Sequence, residues 1–174
     1  MVEREGVFGS LDPALLEDPL GFLSAEHTRQ RAVLGHLDRL ARSLAGPSRT
    51  AMARALAAWL AADLPLHLRD EEDSVYPRLP PDAAGLTGSL AGENRASEPQ
   101  RALLHGELVD IARGHEPSGR FAEAALHFVA QYRRHLAIEE LNLMPAARRA
   151  LGVVACRAIA REMAARRGHG EPHA

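Results

Sequence analysis

The pattern H-L-x-x-E-E-x-x-x-x-P occurs twice in this 174-residue chain, as HLRDEEDSVYP from His67 to Pro77 and as HLAIEELNLMP from His135 to Pro145, sixty-eight residues apart. In each copy the histidine and the first glutamate are four residues apart, so on a helix they stand one turn apart on one face. One such pair means little, because histidine–glutamate contacts also occur on helix surfaces. Two in equivalent places predict two helices that turn matching imidazole–carboxylate pairs toward one centre. Iron and related ions accept this mixture of nitrogen and oxygen donors, and a carboxylate can bridge two ions.

The rest of the chain fits helices. Asp18-Pro19 is a capping residue followed by a proline at the first helical position, and it opens a segment that runs to Gly46-Pro47. A second segment starts at Ser48 and ends near Leu79, with Pro65 inside it, where a kink and a released Ala61 carbonyl are expected. Gly85, Gly88, Gly92 and Asn94 make residues 82–96 read as a loop, and Ser97-Glu98-Pro99 reads as the next helix start, stopped at Gly114. A fourth segment runs from about Arg120 to Arg149. Strand signals are missing, and scarce aromatic residues (4%) with abundant alanine and leucine suit close helix packing. The expected fold is all-α: an up-down-up-down four-helix bundle over about 18–150, an additional C-terminal helix over about 151–167, and a tail, 168–174, expected to fray. Residues 1–174 read as a single domain.

Composition removes several functional classes. All 21 basic residues are arginine and the net charge is −2, which argues against the basic stripe that nucleic-acid binding needs. The single cysteine, Cys156, excludes an internal disulfide and a cysteine zinc cluster. The N-terminus lacks the basic start and apolar run of a secretory signal, and no stretch is apolar enough to span a membrane, so a cytoplasmic location is expected.

Four of the nine histidines fall one per helix. His27 lies about 12 Å into the first segment at ~1.5 Å per residue. His67 and Glu71 lie about 18 and 12 Å from the end of the second. His105 is about 10 Å past Glu98, while His135 and Glu139 are about 21 and 15 Å back from Arg149. By this count His27, His67, Glu71, His105, His135 and Glu139 can occupy one layer, about two to three turns from the end where the chain enters.

These motifs, with AEHTRQRAVLGHLDRLA and the closing REMAARRG, resemble the hemerythrin-like HHE cation-binding domains over about Pro19 to Arg167. The resemblance implies a four-helix bundle holding two iron ions, bridged by carboxylates and an oxygen species, with the same six residues as ligands. Manganese or another divalent metal suits the same donor set. The chain departs from the oxygen-carrying hemerythrins at Val109, where they have a second histidine four after that of the third helix. It departs again at Glu139 and Glu140, where they have an aspartate five residues after the fourth-helix histidine. Four histidines, two bridging carboxylates and a bridging oxygen supply about ten of the twelve positions on two six-coordinate ions. The remainder would take dioxygen, nitric oxide or peroxide, in a sensing, redox or iron-handling role. The alternative is a di-iron enzyme that turns over peroxide or another small oxidant. The reading leans away from catalysis, and no catalytic residue is singled out. A protein partner would have to carry any sensing output, since no signalling or DNA-binding domain is expected in the chain.

Other polar residues have plainer readings. Glu72 and Glu140 point about 100° from their neighbours and are expected to pair with arginine on the outer face. Asp63 and Gln131, one turn before the block histidines, are candidate acceptors for a ligand imidazole, and an arginine partner or a cap is as good a reading. Tyr132 reads as packing. His36, His115, His127, His169 and His173 fall off the shared layer, and Cys156 reads as a small core residue.

Overall fold

The computed structural model describes residues 8–43, 46 and 48–168, and every regular element among them is helical. Helix α1 (Pro19–Arg42) begins as its sequence predicts, with Asp18 accepting from the Gly21 N–H at 3.0 Å. A side chain at position 21 would collide with the Asp18 carboxylate, so the cap and the glycine go together. Helix α2 (Arg49–Ala58) continues through a π-helical segment, Trp59–Asp63, into α3 (Leu64–Arg69), a second π segment, Asp70–Val75, and a 3-10 turn, Tyr76–Arg78. Pro65 is therefore met by a widened turn: the Leu64 N–H bonds the Trp59 carbonyl just before the proline ring.

Helix α4 (Ala84–Ala112) corrects the sequence reading. Residues 84–96, expected as loop, are its first half, and Pro99 lies inside it rather than at its start. Gly85, Gly88 and Gly92 each weaken a helix by about 1 kcal/mol relative to alanine. Burial outweighs them, because each of Leu90, Leu104, Leu108 and Ile111, all at most 1% exposed, contributes about 1.5–3 kcal/mol. Pro99 is exposed, as is Arg95, whose carbonyl the proline leaves to water.

Helix α5 (Phe121–Ile138) runs through a third π segment, Glu139–Leu143, into α6 (Met144–Ala150), and α7 (Val153–Arg166) is the expected C-terminal helix. Helix α1 packs on α2 and α5, and α4 packs on the same two, which closes the bundle. Helix α7 lies across one end, against α1 and the Asp70–Val75 segment. Of the expected features, Pro47 and the tail from His169 onward lie outside the described residues.

Two apolar clusters form the interior. The larger runs from Val33 on α1 through Trp59, Leu68, Leu104 and Phe128 to Leu136. The smaller joins Leu20, Phe22 and Leu23 to Val75, Met144, Ile159 and Met163. On three of the four long rods the same order recurs: large cluster on one side, small cluster on the other, and a histidine or glutamate between them. The bundle is thus built to hold a polar layer between two cores.

Candidate metal centre

That layer contains His27, His67, Glu71, His135 and Glu139, each at most 2% exposed. His27 Nε2 lies 3.2 Å from Glu71 Oε1 and 3.4 Å from Glu139 Oε2. His67 Nε2 lies 3.6 Å from Glu71 Oε2, and His135 Nε2 lies 2.8 Å from Glu139 Oε1. One donor atom from each of His27, His67, Glu71 and Glu139 falls within 4.8 Å of the other three, the spacing that one ion would need.

Close approach does not mean that these atoms satisfy one another. Both nitrogens of His67, His135 Nε2, Glu71 Oε2 and both oxygens of Glu139 are buried with no hydrogen bond of acceptable geometry. Native interiors pair nearly all such atoms, because an orphan forfeits its hydration. Five inward-facing side chains with this many unpartnered donor atoms suit a group that all of them can bind, and a cation fits that description.

The π segments explain how two glutamates meet. Each begins at or beside a block glutamate: Asp70–Val75 holds Glu71 and Glu72, and Glu139–Leu143 holds Glu139 and Glu140. The wider turn aims the second glutamate differently from an α-helix. Glu140, expected to pair with arginine outside, accepts instead from His27 Nδ1 at 2.6 Å. Glu72 accepts from Asn94 Nδ2 at 2.9 Å. Glu93 of α4 accepts from His135 Nδ1 at 3.0 Å. Holding Nδ1 this way leaves Nε2 of His27 and of His135 to face the centre.

His105 does not join the cluster. It lines a groove of about 490 Å³ between α4 and the α2–α3 rod, with Leu60, Pro65, Leu68 and Arg101. The cause is the true start of α4. From Ala84, His105 is about 32 Å along the axis, whereas Glu93 is about 14 Å along, level with the layer. The other expectations fare variously. Asp63 pairs with Arg29 at 2.6 Å. Gln131 lines a cavity of about 10 Å³ beside His135, whose Nδ1 is taken by Glu93. Tyr132 does pack, stacked on the His135 ring at 5.5 Å and donating its hydroxyl to Gln30 Oε1 at 2.8 Å. His36 bonds Arg39 and His127 bonds Gln100, both away from the layer. Cys156 packs half-buried against the small cluster.

The electrostatics suit a site that holds a cation. Burial alone would lower His27, but its hydrogen bonds to the Glu71 and Glu140 carboxylates and the charges of Glu71 and Glu139 outweigh it and raise its pKa to about 9. His135 is likewise raised to about 9, burial being outweighed by Glu139, Glu93 and Glu71. His67 goes the other way, pushed well below the usual range by burial and by its neighbours His27 and His135. Glu71 is raised by burial and by the charge of Glu139. A metal must displace the protons that His27, His135 and Glu71 hold near neutrality. Metal affinity is therefore expected to rise as pH increases from about 6.5 toward about 9, with proton release on binding. Titration with a pH-indicator dye measures this, and an affinity flat in pH would contradict it.

Four helical rods that close around buried imidazoles and carboxylates define a class, bundle proteins that hold a cation in their core. The family model of the hemerythrin HHE cation-binding domain matches residues 18–163, and the chain belongs to that family. No curated protein matches closely enough to serve as a relative. No helix among the described residues is long and apolar enough to cross a membrane.

Glu140 and Glu93 are the residues that sequence reading missed. Glu140 acts on the centre through His27, so Glu140→Ala is expected to weaken metal binding by about 10–100-fold. The fold should be kept, since this carboxylate side chain is 30% exposed. Competition against a chelator of known affinity reads the change.

Proposed function

We propose that the chain holds a non-haem di-iron centre through His27, His67, Glu71, His135 and Glu139, and binds a small ligand there. The observation that carries this reading is the set of orphaned, buried donor atoms contributed in equivalent pairs by the two repeated blocks. Glu71 and Glu139 lie between the histidines and are suited to bridging two ions. Bound iron would supply a redox-active, Lewis-acidic centre with positions for dioxygen, nitric oxide or peroxide.

The donor count supports binding more than saturation. Three imidazoles and two bidentate carboxylates supply about seven of twelve positions, and a bridging oxygen about two more, so roughly three remain. That is one more than a fourth histidine would leave. The protein's own groups then act around the ligand: Glu140 and Glu93 orient imidazoles, Tyr132 stacks on His135, and the two apolar clusters exclude bulk water. A sensing, redox or iron-handling role fits such a site, in a soluble, cytoplasmic setting. Manganese or another divalent ion is compatible with the same donors.

The deciding experiment is anaerobic loading with ferrous iron, metal analysis, and an absorbance spectrum before and after exposure to air or nitric oxide. About two irons per chain and a stable adduct are expected. Iron well below that ratio would overturn the di-iron reading. Steady peroxide consumption above that of free iron would replace binding with catalysis.

A further inference from the structure

The two repeated blocks differ at the residue before their proline: Tyr76 in the first, Met144 in the second. Both belong to the same apolar surroundings, Met144 inside the smaller cluster and Tyr76 packed against it. Tyr76 differs in carrying a hydroxyl that is sealed from solvent and has no hydrogen-bond partner among the described residues. Tyrosine hydroxyls in interiors normally find one. Phenylalanine, or the methionine of the other block, would fill this space and leave no orphan.

The backbone shows where the hydroxyl belongs. The Tyr76 N–H bonds to the Glu71 carbonyl, the five-residue closure of the π segment. In an α-helix the fifth residue sits well round from the first, but the wider π turn brings it back toward the same face. Turned toward that face and packed against the smaller cluster, which flanks the metal layer, the Tyr76 side chain approaches the layer from the small-cluster side. A tyrosine hydroxyl ordinarily titrates at about 10, so at neutral pH the group carries its proton and can only be a donor or a neutral acceptor.

We propose that Tyr76 is a specificity-determining residue of the centre, donating its Oη–H to a small inorganic anion held beside the Glu71–Glu139 pair. The inference rests on the metal-binding reading above. It predicts a preference for ligands that accept a hydrogen bond, and it gives the first block a role that the second lacks.

Azide is the probe. The iron-loaded wild type, Tyr76→Phe and Tyr76→Met are compared for iron content, azide dissociation constant by absorbance, and the infrared stretch of bound azide. Iron content is expected to be the same in all three, with azide bound about tenfold more weakly in both variants. The azide stretch should shift by the same amount in both, since each removes only the donor. Unchanged azide affinity and stretch in variants that hold iron normally would overturn the role of Tyr76 and leave the metal reading intact. Loss of iron from Tyr76→Phe, or a tyrosinate-to-iron absorption in the wild type, would make Tyr76 a ligand instead and also overturn it. A wild type that takes up no iron would remove both readings together. Tyr76→Met, which copies the other block, provides the folded comparison should the phenylalanine variant be unstable.

Discussion

His67→Leu is expected to make the metal-free protein more stable while almost abolishing metal binding. Both His67 nitrogens are buried without a partner, and the ring is fully enclosed. Leucine is of similar bulk and leaves no orphan, so the change removes a desolvation cost of about 1–3 kcal/mol. For a chain of this size that corresponds to a melting point higher by about 2–4 °C per kcal/mol. The lost imidazole faces Glu71 directly, so metal affinity should fall by more than the ~10–100-fold typical of groups that act through a ligand. Thermal melts of chelator-treated protein, paired with metal titration, give the two numbers. A drop in metal-free stability would mean that His67 serves the fold, and the site would lose its strongest argument.

The second large effect concerns the C-terminal helix. Asp70, adjacent to Glu71, is fully buried, and both of its oxygens are held from the end of α7: by Arg166 Nη1 at 2.8 Å and, on the other oxygen, by Nη2 of Arg167, the residue that caps the helix. Arg166 also donates to Ser74 Oγ at 2.7 Å, Ser74 donates to Glu162 at 2.6 Å, and Arg78 binds Glu162 at 2.6 Å. The π segment carrying Glu71 is therefore gripped from outside by one charged network. Asp70→Ala would leave two largely buried guanidinium groups facing each other, at an expected loss of about 3–5 kcal/mol. Hydrogen exchange should show the damage in Val153–Arg166 first, because that helix's charged contacts converge on this acid and its neighbours. Uniform exchange across the bundle would count against the clamp.

Most of the architecture is legible in the chain because its punctuation agrees with its packing. Asp18-Pro19 starts α1, Gly114, at φ +91°, follows α4, and donor atoms of the two repeated blocks meet in the interior as their spacing implies. Helix α4 is where local and tertiary signals conflict. Its inward stripe, Leu90, Asn94, Ser97, Leu104, Leu108 and Ile111, keeps helical spacing throughout, but polar residues occupy the stripe at the metal layer and glycines flank it. The polarity that makes the segment useful to the site is what disguised it as a loop. Misplacing that start by more than three turns brought His105 to the layer on paper and hid Glu93. Glu140 was hidden by a different cause: an α-helical projection sends it outward, and nothing in residue periodicity announces a π turn.

The polar layer between two apolar clusters has a thermodynamic consequence. Without a cation, the middle of the bundle is its weakest section, holding orphaned groups where a continuous core would cohere. With one, three rods are tied together at that level. The fraction of chains that stay folded then depends on free metal, gaining about 1.4 kcal/mol for each tenfold excess over the dissociation constant. A cell that degrades loosened proteins would accumulate this one when metal is plentiful and clear it when metal is scarce.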